Sequence, residues 1–218
     1  MEDFRSDALR SVLPIFPLNG VLLLPRGHLP LHVFEPRYRN LTEAALGSGR
    51  IMGMIQPRQP VSDVLDDDAP LYETGCSGRI VSFAESDDGR FLITLRGVCR
   101  FRVVEELSLI DGYRRVRPDF TPFRHDLKPA EGVVDREHLL AAVRRYLDTR
   151  DMGADWSGVE KASDEALVTA LAMACPFEAN EKQALLECPD LTARADMLIA
   201  LLQMAVRDVD APAAGVTH

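Results

Sequence analysis

The chain has 218 residues, 46% of them hydrophobic and 27% charged, with a formal net charge of −9 and a pI near 5.1. This length and balance describe a soluble globular protein of one to two domains with enough chain to bury its own core. The acidic surplus disfavours nucleic acid as a partner, since such binders usually show a basic face. Only Lys128, Lys161 and Lys182 are lysines, and an arginine patch such as Arg114, Arg115 and Arg117 stays open.

The opening MEDFRSDALR carries acids and no apolar stretch, so neither a secretory signal nor a transit peptide is readable and a cytoplasmic location is expected. Apolar runs such as residues 21–24 are far short of the roughly 20 residues of a membrane helix. From there to about Pro118 the pattern is β-rich. Strands are expected at residues 12–16, 21–24, 29–34, 51–55, 78–84, 90–96, 100–106 and 113–116, bounded by Gly, Pro and Asp clusters. Asp88-Gly89 supplies the φ > 0 positions of a hairpin turn. One helix interrupts the set at residues 36–46, with Pro36 at its first position, Tyr38, Leu41 and Ala45 on its apolar face, and Gly47 as its stop. The segment 57–70, with Pro60 and Asp66-Asp67-Asp68, reads as a solvated loop, because the glycine and distal glutamate of a calcium loop are missing.

A proline-marked stretch from Pro118 to Pro129 separates the β part from a helical one, giving units at 1–118 and 130–207, a linker at 119–129 and a disordered tail at 208–218. Beyond the linker the apolar period changes to 3.6, and helices are expected at 135–148, 164–174, 181–187 and 191–207. Ser163 is a good N-cap, and Asn180 with Gln183 reads as a capping box. The last helix places Leu191, Ala195, Leu198, Leu202, Ala205 and Val206 on one core-facing stripe.

The residues that would carry catalysis are missing or scattered. No GxxxxGK[ST] phosphate loop occurs, and no Gly-Lys dipeptide exists in the sequence. Lys161 and Ser163 are close in sequence but lie at a helix entrance, where a surface cation beside an N-cap is the expected role. His28 and His32 share a strand face about 13 Å apart by strand rise, too far for one metal ion. Neither His125 nor His138 has a nucleophile nearby in sequence. Cys76, Cys99, Cys175 and Cys188 form no CxxC pair and read as reduced, buried thiols. No catalytic residue, metal or cofactor is assigned.

Three stretches carry a family resemblance: LPIFPLNGVLLLPRGHLPLHVFEPRYRNL from Leu13, YETGCSGRIVSFAESDDGRFLITLRGVCRFRV from Tyr72, and MACPFEANEKQALLECPDLTARADMLIALLQ from Met173. In this order and spacing they resemble the N-terminal, substrate-holding domain of Lon proteases over residues 12–206. The resemblance implies an α+β fold, a PUA-like β-barrel followed by a C-terminal helical bundle. It also implies a standalone bacterial form without the ATPase and peptidase domains, of the kind labelled peptidase S16-like. The function implied is non-catalytic, ATP-independent capture of unfolded polypeptide or a partner protein, with a protease or chaperone system as a further partner. By the family's pattern the binding groove falls at Leu24 and Pro25, with Phe83 near the hairpin. The alternative is a PUA-like small-molecule or RNA-binding module, for which a basic concave patch would speak; a dry apolar groove would speak for polypeptide.

Overall fold

A computed structural model of the chain describes residues 9–58, 66, 68–153 and 156–210. Strands β1 (Leu13–Pro17) and β2 (His28–Val33) precede helix α1 (Pro36–Gly47), and β3 (Ile51–Ile55), β4 (Thr74–Glu85), β5 (Phe91–Ile110) and β6 (Tyr113–Asp119) follow. A 3-10 helix (Thr121–Leu127) leads to α2 (Arg136–Thr149), α3 (Trp156–Lys161), α4 (Asp164–Ala174), α5 (Ala179–Glu187) and α6 (Leu191–Asp210).

The strands form one mixed sheet in the order β2-β5-β4-β3-β1-β6, and β6 also pairs with β5. β1 and β3 run parallel, Ile15 opposite Gly53, while the other ladders are antiparallel. A parallel pair needs a crossover, and the segment through β2 and α1 supplies it. β3 is buried on both faces. Ile51 and Ile55 face a small core with Leu13, Ile15, Val98, Phe101 and Val116, whereas Met52 and Met54 face a larger one. That larger core runs without a break from Leu22, Leu31, Ile80 and Leu95 of the β part to Leu139, Val168, Leu185 and Leu198 of the helices.

Residues 90–96 and 100–106, expected as two strands, fall, Arg90 apart, in the single long strand β5. Gly97 does not end it; the register shifts there, with Ser77 opposite Cys99 and Gly78 opposite Gly97, so Val98 is a bulge. Residues 21–24, expected as a strand, have no ladder, yet Leu22, Leu23 and Leu24 are buried in the large core. The facing glycines make room for this irregular segment. A Cβ on Gly78 would lie 2.8 Å from Leu23 Cδ2, and one on Gly97 would lie 1.9 Å from the Leu24 carbonyl oxygen.

The hairpin at Asp88-Gly89 forms, with Gly89 at φ 76° and Ser86 N–H bonded to the Arg90 carbonyl at 2.9 Å. Ser163 caps α4 as expected, its hydroxyl oxygen accepting from Ala166 N–H at 3.3 Å. The capping box of α5 lies two residues earlier than expected, on Glu178 and Glu181, because the helix itself begins at Ala179. α3 is an element that the sequence pattern did not announce. The tail expected at 208–218 enters α6 as far as Asp210, and the rest of it lies outside the described residues, as does most of the solvated loop expected at 57–70. The four cysteines are unbridged and buried. No helix among the described residues is long and apolar enough to cross a membrane.

Candidate functional site

The segment Leu24-Pro25-Arg26-Gly27 closes a tight turn, Gly27 N–H bonding the Leu24 carbonyl at 3.0 Å. Proline second and a left-handed third residue make it a type II turn, where glycine is the usual third residue. Here Arg26 holds that place at φ 65°. The turn is tied to the β5 bulge by Arg26 N–H to the Gly97 carbonyl at 2.8 Å and by Gly97 N–H to the Gly27 carbonyl at 2.9 Å. The Arg26 side chain makes contacts that glycine could not: Nε donates to Glu165 Oε1 on α4 and Nη1 to the Asp126 carbonyl, both at 2.5 Å. Arg26 thus bridges the sheet, the 3-10 helix and the helical half.

Two clefts open on either side of this bridge, and Arg26, Glu165 and Thr169 line both. The first, about 660 Å³, lies between the start of β2 and one face of α4; Gly27, Leu29, Pro30, Ala166, Ala170 and Met173 make it mainly apolar. Ala166, Ala170 and Ala174 recur every fourth residue and are exposed along its helical wall. The second, about 500 Å³, is walled by Pro25, the 3-10 helix and the first turn of α6, and presents Arg124, His125, Lys128 and Arg194.

Beneath the second cleft, Arg100 of β5 is 1% exposed and spends all of its guanidinium on the protein. Nε and Nη2 grip the two oxygens of Asp126 at 2.9 Å each; Nη1 donates to the carbonyls of Leu186 at 3.0 Å and Cys188 at 2.6 Å. Nη2 also meets His125 Nε2 at 3.0 Å, and since an arginine only donates, that ring nitrogen accepts. Arg194 of α6 is 7% exposed and donates from Nε to the Leu185 carbonyl at 2.9 Å and from Nη2 to the Cys188 carbonyl at 3.4 Å. Burial, and then the nearby charge of Arg100, lowers its pKa from the ordinary value. Arg100 therefore takes the buried Asp126 carboxylate, and Arg194 is left with backbone carbonyls.

A second polar junction lies at the other end of α5. Gln56 Nε2 donates to the Ala179 carbonyl at 3.0 Å and to Gln183 Oε1 at 3.1 Å, and Gln183 Nε2 reaches the Thr74 carbonyl at 3.2 Å. Lys182 Nζ, its pKa lowered by burial, donates to the Gly20 carbonyl at 2.8 Å. α5 is thus held by directional bonds at both ends.

The structure does not gather Leu24, Pro25 and Phe83 into one groove. Leu24 is 0% exposed and is core. Pro25 is buried too, although its ring lines the second cleft. Phe83 is 40% exposed on the β4–β5 hairpin, edge-on to Phe91 at 5.1 Å, and lines neither cleft. His28 and His32 are both exposed on one face of β2. The arginine patch that the sequence left open is largely answered by the neighbouring strand. Arg114 pairs with Glu106, Arg117 with Glu105, and Arg115 donates to the Ser108 carbonyl. Arg26, Arg100, Asp126 and Arg194 escaped the sequence reading. One signal for Arg194 was present: it falls at i+3 in the stripe Leu191, Ala195, Leu198, where a charge must be buried.

The comparisons fit this architecture. The chain is 29% identical to Lon protease 2 of Sorangium cellulosum over 201 residues and 27% identical to Lon protease 2 of Myxococcus xanthus over 201 residues. These alignments cover 87% and 91% of the chain but 24% of each relative, so it spans about a quarter of their length. A crystal structure of a Lon N-terminal domain protein from Xanthomonas campestris superimposes with a TM-score of 0.60 at 24% identity, covering 88% of this chain and 98% of that one. The N-terminal domain of a Mycobacterium avium complex Lon protease superimposes at 0.57 and 16% identity, covering 90% and 98%. At those identities the likeness speaks for the fold. The sequence profile of the ATP-dependent protease La (LON) substrate-binding domain matches residues 12–204, and the chain belongs to that family.

Proposed function

We propose that this chain is a non-catalytic polypeptide-binding module that captures apolar segments of unfolded or partner proteins in the cleft between β2 and α4. The observation that carries the reading is that preformed apolar space of about 660 Å³. Burying one aliphatic side chain there contributes roughly 1.5–3 kcal/mol, and a cleft with few polar groups discriminates weakly between sequences, as a general client-binder requires. Membership of a substrate-binding family supports the same function. The circuit of pairings from β5 through β4, β3, β1 and β6 back to β5 supports the PUA-like barrel reading. Phe83 offers a second apolar contact on the hairpin for longer clients. The module acts without ATP, in the cytoplasm, and hands clients to a protease or chaperone system.

The direct test fills the cleft. Ala170 is exposed on α4, so Ala170→Trp should leave the circular dichroism melt unchanged and weaken binding of unfolded casein about tenfold; unchanged binding would remove the site. The protein should also leave casein intact and ATP unhydrolysed, whereas fragment release abolished by changing a single serine would show an enzyme. The cationic cleft favours the second reading, a small-molecule or RNA-binding module. Glu131, Glu165 and Asp190 line that cleft beside the cations, and the net charge is −9, so we place RNA second.

A further inference from the structure

We infer that the cationic cleft receives a carboxylate carried by the same polypeptide whose apolar side chains fill the β2–α4 cleft. The module would thus read an apolar segment that adjoins an acidic group. This rests on the polypeptide-binding reading and gives it a substrate class.

The two clefts share a wall at Arg26, Glu165 and Thr169, so they are adjacent and an extended chain that crosses the Arg26–Glu165 bridge reaches both. The carboxylates of the second cleft are mostly committed. Glu165 is paired with Arg26, Asp126 with Arg100, and Asp190 caps α6 by accepting from Ala193 N–H at 2.8 Å. The cations are not. Among the described residues, Arg124, Lys128 and Arg194 have no carboxylate within ion-pair distance, against one uncommitted acid, Glu131.

Arg194 is the decisive member. Its guanidinium is held rigid by the Leu185 and Cys188 carbonyls, while Nη1 makes no hydrogen bond within the described residues and belongs to a side chain on the cleft wall. Nη1 is not a fully buried atom, so a rigidly held guanidinium turns an open donor edge to the cleft and is ready for an anion. A carboxylate matches the planar fork of N–H groups. A phosphodiester backbone matches it as well, but its repeated charges would meet Glu131, Glu165 and Asp190 along the same wall, whereas a single carboxylate need approach only the cations. The acid has two possible sources, the terminal α-carboxylate of a client or an Asp or Glu side chain within it.

Fluorescence anisotropy on the full chain separates these outcomes with three short peptides of one apolar sequence: a free C-terminal acid, the C-terminal amide, and the amide with one internal glutamate. The acid, the glutamate peptide or both should bind about tenfold tighter than the plain amide, and whichever does so names the source. Arg124 and Lys128 are exposed, so the double variant Arg124→Ser/Lys128→Ser should fold normally. It should reduce the preference to about twofold or less and leave the amide affinity unchanged. Equal binding of all three peptides, still weakened by Ala170→Trp, would overturn the carboxylate inference and leave the polypeptide reading standing. Failure to bind any peptide or unfolded casein would remove both. An RNA oligonucleotide that binds wild type and fails to bind the double variant would assign the cleft to RNA instead.

Discussion

Arg100→Met removes the cation at the centre of the fold while nearly keeping its volume, so the structure lets its cost be worked out. Asp126 is 6% exposed and would keep only the amide of residue 100 at 3.0 Å. Breaking a buried pair from one side costs about 3–5 kcal/mol, because the partner charge stays buried. The Leu186 carbonyl loses its Nη1 donor, worth about 1 kcal/mol; the Cys188 carbonyl keeps Arg194. The total is about 4–6 kcal/mol, against about 5–15 kcal/mol for a typical domain. Urea unfolding followed by circular dichroism should show a midpoint near the edge of the folded range. Arg100→Lys should fall between, since it keeps the charge and loses the fork. A loss below about 1 kcal/mol for Arg100→Met would mean that water already reaches Asp126, and the reasoning would fail.

Arg26→Ala and Arg26→Gly both delete the bridge to Glu165, but glycine also relieves the φ of 65°, so the alanine variant should be less stable by about 1 kcal/mol in urea, and the reverse order would refute the strain argument. Burial raises Cys99 from 9.0 to about 12 and Cys175 to about 11, so the native state keeps protons that the unfolded chain loses. Their contribution is full below the ordinary value of 9.0 and declines as pH climbs towards 11 and 12, with a slope of up to about 1.4 kcal/mol per pH unit per thiol. Lys182, lowered by burial, works in the opposite direction up to its ordinary 10.5, so the fall should steepen above that; a flat urea midpoint between about pH 9 and 11, unaltered by Cys99→Ala, would contradict it. Phe83→Asp should weaken long unfolded clients about tenfold and spare short peptides that fill only the cleft, because Phe83 lines neither cleft.

Elements with a local code were legible. α4 has its Ser163 cap, α6 its stripe from Leu191 to Val206, and α1 its Pro36 start. Residues 21–24 misled because an apolar run reports burial and says nothing about a ladder. Their irregular path depends on Gly78 and Gly97 facing each other across two strands, a pairing set by a register shift that no local window contains. Gly97 looked like a strand end for the same reason. Arg100 and Asp126 are 26 residues apart in sequence, and neither is unusual in its own neighbourhood. A cluster of charges assembled by tertiary contact leaves a trace only where one of them breaks an apolar pattern, as Arg194 does.

A charged hub at the junction of sheet and helices calls for a reason other than stability, since a buried ion pair replaced by apolar residues is often neutral or stabilising. The geometry of Arg100 supplies one. Its bonds run to Asp126 on the 3-10 helix and to the carbonyls at the α5–α6 corner, so a single side chain sets the spacing of the walls that carry His125 and Arg194. Apolar contacts would hold those walls together without fixing their angle, because dispersion is not directional. Arg100→Met/Asp126→Leu therefore divides the two roles. It should recover part of what Arg100→Met alone loses, ending about 2–4 kcal/mol below wild type because the Leu186 carbonyl and the amide of residue 100 each lose a partner. It should also bind the carboxylate-bearing peptide about tenfold more weakly, because the cations no longer converge. Recovered stability with intact binding would make the hub interchangeable with any packed core. Stability that stays as low as in Arg100→Met would place the cost in lost packing and not in the stranded Asp126 charge.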